Sequence, residues 1–182
     1  IRSLREGEVV VLEPQGLRVT GSSGITDDDT VRVRVHHTYA HPGGAHAYRV
    51  AWRGHSLVYA TDTEGYAGTD RRLAAFARGA DLLIHDAQYS EAHYRGQAPG
   101  LPATQGYGHS TVEMACDLAR AAGASRLVLF HHDPGYDDAA VDAGEARGGS
   151  LFTHTVAARE GLELAVGEHE PLPALLETLV VS

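Results

Sequence analysis

A sheet covered by helices, an α/β fold, is what the order of patterns along the 182 residues predicts. Three observations carry it. The first third of the chain is dense in period-two and apolar strand patterns separated by turn residues. From Asp62 onward, apolar strand segments alternate with capped helical ones. The composition, 43% hydrophobic and 21% charged, is that of a globular chain with enough apolar residues for one sizeable core.

In chain order, residues 9–12 form an apolar strand, Pro14-Gln15-Gly16 a turn, and residues 17–19 the next strand. Residues 21–29 are a polar turn segment of the kind that makes a surface loop. Val31-Arg32-Val33-Arg34-Val35 alternates with period two, the mark of a half-buried strand. Residues 47–52, the Arg53-Gly54 turn and residues 56–60 read as a hairpin. A helix follows over 70–77 with Asp70 as its N-cap, then a buried strand over 81–85. Residues 110–122 make a well-delimited helix: Ser110 caps it, Glu113 completes a capping box, and Gly123 ends it. A strand over 126–130, a helix over 137–146, a short strand over 161–166 and a final helix over 171–181 complete the reading. No internal repeat or linker divides residues 1–182, so a single domain is expected.

Charge and cysteine content narrow the function classes. The net charge is −9, and all 15 basic residues are Arg. Loose nucleic-acid binding needs a basic surface, so this balance weighs against a nucleic-acid partner. A phosphate-containing substrate stays compatible, because bound divalent ions reverse the field locally. No apolar run approaches the roughly 18 residues of a membrane span, so no membrane partner is expected. Cys116, the one cysteine, cannot close an internal disulfide; on a helix it reads as a buried, inert thiol, consistent with a reducing, cytoplasmic setting.

Chemistry-bearing residues stand just after predicted strands, where loops hold functional groups above a rigid sheet. His41 lies in His-Pro-Gly-Gly after the strand ending near His37, and Asp62 in Thr-Asp-Thr after the hairpin. His109 lies in Gly-His-Ser-Thr just before the helix cap, and His131 follows Leu127 to Phe130. Imidazole and carboxylate donors together suit Zn, Mn or Fe. Singly, each histidine is equally a surface or hydrogen-bonded residue. Asp86 reads either as a carboxylate that orients a catalytic or ligating His or as a strand-end cap of the next helix. Glu64 reads as a supporting carboxylate or a solvated one, and His55, His93, His154 and His169 as exposed.

Together, Thr-Asp-Thr, Gly-His-Ser-Thr and Leu-Val-Leu-Phe-His-His-Asp-Pro, with His41 seven residues before Tyr48, resemble the metallo-β-lactamase superfamily, in its ribonuclease Z-like and cyclic phosphodiesterase-like branches. The resemblance runs from about His41 to His131. It implies an αββα sandwich whose site binds two divalent ions, Zn first with Mn or Fe as alternatives. His41, Asp62 and His131 would be ligands, with Asp62 bridging, and His109 would meet phosphate or donate a proton. The same register selects His131 over its neighbour His132. The activity implied is hydrolysis of a phosphodiester.

The family's His-x-His-x-Asp-His motif is absent from the sequence. With Ile1 in place of Met at the start, the expectation is that this chain is the C-terminal part of the domain and partners a missing N-terminal part. The alternative is a degenerate, metal-free binding or regulatory module. Nucleases of the ribonuclease Z branch that carry a tRNA-gripping arm insert it between the His41 and Asp62 positions. Here the two positions are only 21 apart, and a hairpin fills the interval. A small phosphodiester is therefore the expected substrate and an RNA-processing nuclease the alternative; a homo-oligomer is compatible with either.

Overall fold

The computed structural model describes residues 5–13, 16–21, 30–66 and 68–167. Among these, eight strands form one sheet: β1 (Val9–Glu13), β2 (Gly16–Thr20), β3 (Val31–Thr38), β4 (Ala45–Trp52), β5 (His55–Ala60), β6 (Leu82–Asp86), β7 (Arg126–Phe130) and β8 (Thr155–Ala157). Their order is β2-β1-β3-β4-β5-β6-β7-β8. The half from β2 to β5 is antiparallel, with β4 and β5 joined by the two-residue Arg53-Gly54 turn; β5 to β8 run parallel, each reached through a crossover. The change follows from loop length, because a two-residue hairpin can only reverse a strand, whereas a parallel neighbour requires a return segment. Those crossovers contain α1 (Arg71–Phe76), α2 (Glu91–Tyr94), α3 (Val112–Ala122) and α4 (Asp138–Leu151).

The pleat divides the strand residues between two faces. Ala47, Val58, Ala60, Leu83, Leu127 and Leu129 form one core with α1 and α3, including Leu73, Ala115 and Cys116. Burial pushes the Cys116 thiol up to about 11, so it stays protonated. The alternate residues Tyr48, Val50, Leu57, Tyr59 and Ile84 point to the opposite face and are only half buried. Leu127 is fully buried in the core, so Leu127→Ala is expected to cost about 2–5 kcal/mol, read from denaturant unfolding at constant m-value.

Several sequence expectations are corrected. The helix over 110–122 is capped by Thr111, whose Oγ1 accepts from Met114 N–H at 3.3 Å, and its box partner is Met114 rather than Glu113. Ser110 cannot cap because it is committed elsewhere: its Oγ donates to the Thr63 carbonyl at 2.6 Å and its N–H to Asp86 Oδ1 at 3.0 Å. α4 runs on past residue 146 to Leu151, and Gly148 lets it approach β8, since a Cβ there would stand 2.7 Å from Thr155 Cγ2. Residues 161–166 form no strand; the edge strand is β8 instead. The short helix α2, unanticipated, begins at Ser90, whose Oγ accepts from His93 N–H. The expected loop over 21–29 lies outside the described residues apart from Gly21, as do the final helix over 171–181 and His169.

Candidate metal and acid–base site

The candidate residues meet at the carboxyl end of the parallel strands. His41 sits in the β3–β4 turn, Asp62 after β5, Asp86 at the end of β6, His109 before α3 and His131 after β7. Asp62 and His131 both hold a left-handed backbone, with φ of 53° and 62°. Aspartate and histidine adopt this region more readily than most residues, and strained backbone clusters at functional sites. Gly108 is required on two counts: its φ is +94°, and a Cβ there would lie 2.5 Å from His41 Cδ2 and 2.7 Å from Pro42 Cδ. Only glycine lets the His41 turn pack against the loop that carries His109.

Asp86 is fully buried and organises the cluster. Its Oδ2 accepts from Asp62 N–H at 3.0 Å and from His109 Nδ1 at 2.8 Å; its Oδ1 accepts from Ser110 N–H at 3.0 Å and Gln88 N–H at 3.2 Å. Asp86 binds the His109 ring and ties down the backbone that leads into α3, but it caps no helix, since Ser90 caps α2 and Thr111 caps α3. With Nδ1 donating, His109 offers Nε2 to a ligand.

The His131 ring stacks on His109, with centroids 4.9 Å apart and planes at 14°, and its Nε2 lies 3.7 Å from Asp62 Oδ1. His41 meets His109 edge-on at 5.4 Å, and its Nδ1 accepts from Gly43 N–H at 3.2 Å, a bond that ligation through that nitrogen would displace. Among the described residues, candidate ligand atoms fall into two groups, each within 4.8 Å: His41, Asp62 and His109, and Asp86, His109 and His131. His109 belongs to both. Asp86 has its oxygens taken by four donors, so the donors free to hold a divalent ion are His41, Asp62, His109 and His131. This mixed imidazole–carboxylate set fits a divalent metal.

The Asp86 hydrogen bond holds the His109 pKa above the ordinary imidazole value; partial burial opposes it, and the charges of Asp86, Asp62 and Glu64 add to it. A raised folded value means the pair stabilises the metal-free fold fully below the unfolded value of about 6.5, and that this contribution is lost as pH rises through the folded value. Urea unfolding of the metal-free protein should therefore show an extra fall in stability on going from about pH 6 to pH 9 that His109→Gln removes. Equal pH slopes for both proteins would dissociate the pair from folding.

Sequence reasoning left Glu64 between two roles. Its carboxylate is 1% exposed; it accepts Tyr94 OH at 2.5 Å, Gly106 N–H at 2.8 Å and Gly108 N–H at 2.9 Å, which pins the loop ahead of His109. Burial and that bond raise the Tyr94 phenol pKa. Its place just after Thr-Asp-Thr was the one available signal; Tyr94, 30 residues away, had none. His93, expected at the surface, is buried, because its Nδ1 meets Tyr136 OH at 3.0 Å beneath α2. His132 turns away from the cluster, with Nε2 3.3 Å from the Ala158 carbonyl, and burial lowers its pKa. Among the described residues, no helix is long and apolar enough to cross a membrane.

One mixed sheet with helices on one face, carrying a histidine–aspartate cluster at its strand ends, is part of a metallo-β-lactamase fold. The chain belongs to the beta-lactamase superfamily domain family, whose profile matches residues 2–132. The metallo-beta-lactamase fold protein YhfI from Bacillus subtilis is similar in structure, with a TM-score of 0.56, 22% identity, and coverage of 73% of this chain and 47% of that one. A ribonuclease Z of Thermoplasma volcanium is 27% identical over 90% of this chain and 50% of its own length. One from Salinibacter ruber is 41% identical over 64% of this chain and 33% of its own length. The chain thus spans half or less of these curated relatives.

Proposed function

We propose that this chain supplies part of the active site of a metal-dependent phosphodiester hydrolase. His41, Asp62 and His131 would hold divalent metal, Zn first with Mn or Fe as alternatives, and His109 would serve as proton donor. The observation that carries the reading is the pairing of His109 with the buried Asp86 beside Asp62 and His131. An imidazolium with a raised pKa, held through Nδ1–H so that Nε2–H is the proton it gives up, is what protonation of a departing alkoxide needs. Bound divalent ions would supply positive charge for the phosphate and acidify the attacking water. His109 Nε2 would donate to the leaving oxygen, Asp86 holds the ring through Nδ1, and Glu64 holds the loop ahead of it.

The ligand set of three and the half-buried apolar sheet face, Tyr48 to Ile84, fit a chain that docks against the remaining part of the same domain. A small phosphodiester is the substrate this reading favours, from the net charge of −9 and the tight β4–β5 hairpin between His41 and Asp62. RNA is the second reading, favoured by relatives named ribonuclease Z, and it weighs against excluding nucleic acid. The test is hydrolysis of bis(p-nitrophenyl) phosphate, a cyclic nucleotide and a 3′-extended RNA by the full-length, Zn- or Mn-loaded protein. Metal-dependent cleavage, abolished by chelator, is expected. Absence of both metal binding and cleavage of any of the three would leave the degenerate, metal-free reading, and preferential RNA cleavage would reverse the substrate order.

A further inference from the structure

A cavity of about 310 Å³ lies between α2, the start of α3 and α4. That volume is near the lower end of small-ligand sites, roughly 300–1,000 Å³. We infer that it is a binding subsite for a flat heteroaromatic ring, the base-like end of a ligand. That the ligand's other end is the phosphate facing His109 rests on the function proposed above; the ring site itself does not.

Three rings make one wall. Tyr89 meets His93 edge-on at 4.9 Å and 67°, and His93 meets Tyr136 at 5.9 Å and 47°. Their orientations are fixed before any ligand arrives: Tyr136 OH accepts from Ser90 N–H at 3.0 Å and bonds His93 Nδ1 at 3.0 Å, while Tyr89 is 6% exposed. Rigid rings in edge and offset arrangements favour another aromatic ring over an alkyl chain, and preorganisation spares the entropy of ordering them. The floor is apolar, from Ala87, Val112 and Leu129. The lining also includes the Arg147–Glu113 ion pair, with Nε 2.8 Å from Oε1, a donor and an acceptor suited to ring nitrogens and exocyclic groups.

α4 keeps the space open. Gly144 lines the cavity in the middle of the helix, where its backbone is not left-handed and nothing local demands glycine. A Cβ there would meet only Val112 Cγ2, at 3.7 Å, so a larger side chain would grow into the cavity rather than into a neighbour. Glycine mid-helix carries a propensity cost that a packing role would not require. The cavity also shares a wall with the histidine cluster: Tyr89 stands 6.2 Å from His109, and His132, another lining residue, directly follows His131.

The test is titration of the full-length, metal-loaded protein with adenosine and, separately, ribose 5-phosphate, followed by calorimetry. Saturable adenosine binding is expected, weakened at least about tenfold by Gly144→Leu, with unchanged metal content and a melting temperature retained or raised. Should Gly144→Leu fail to fold, Ala140→Leu fills the same cavity and reads the same outcome. Adenosine binding that is absent, or equal in the wild type and the filled variant, overturns the ring site, as does binding of ribose 5-phosphate alone. If the protein cleaves no phosphodiester but binds adenosine in a Gly144-sensitive way, the ring site stands and the catalytic reading falls. Hydrolysis without adenosine binding gives the reverse.

Discussion

Replacing Asp62 with alanine in the full-length protein is expected to lower bound divalent metal from two ions to at most one and to abolish phosphodiester hydrolysis. Two dications about 3.5–4 Å apart repel strongly: at an effective dielectric of 20, each pair of unit charges at 4 Å costs roughly 4 kcal/mol, and two dications four times that. A carboxylate between them offsets the repulsion. Asp62 would supply it: its Oδ1 lies 3.7 Å from His131 Nε2 and its backbone N–H is held by Asp86. Alanine at a φ of 53° also adds backbone strain, so Asp62→Asn is the control, because asparagine tolerates that conformation while lacking the charge. Both variants should lose metal by elemental analysis. A stoichiometry that stayed at two in Asp62→Asn would refute the bridging role.

His109→Ala should lower kcat by roughly 10²–10⁴ while metal content stays unchanged. Asp86 retains its three backbone N–H donors in this variant, so the buried carboxylate is not left without partners. The loss should shrink for a p-nitrophenyl ester, whose leaving group departs without a proton. An equal loss for both kinds of leaving group would move His109 from proton donation to stabilising charge on the phosphate. Loss of metal would make it a ligand, an outcome its membership of both ligand-atom groups keeps in play.

The two predictions depend differently on what could be read along the chain. Strand positions were legible because burial repeats locally: the period-two run 31–35 lies within β3, and the apolar run 126–130 is β7. The places of His41, Asp62 and His131 after strands and of His109 just before a helix were legible for the same reason, and so was the hairpin that closes the interval between the first two. Local pattern also decided the α/β class and the N-cap at Asp70, whose Oδ1 accepts from Arg72 and Leu73 N–H.

The tertiary structure decided what depends on partners distant in sequence. Ser110 satisfies every local rule for a cap, yet its hydroxyl is claimed by the Thr63 carbonyl 47 residues away, and the cap passes to Thr111. Residues 161–166 have a strand-like composition, but a strand exists only where a neighbour offers a ladder, and β8 occupies the edge. Asp86 kept two readings because its partners, at positions 62, 88, 109 and 110, converge only once β5, β6 and α3 are side by side. Glu64 and His93 were obscure for the same reason: a side chain's burial and bonds are set by whatever the fold brings to it. Periodicity and caps are written in near neighbours, whereas the orientation of His109 is written in contacts that only folding makes.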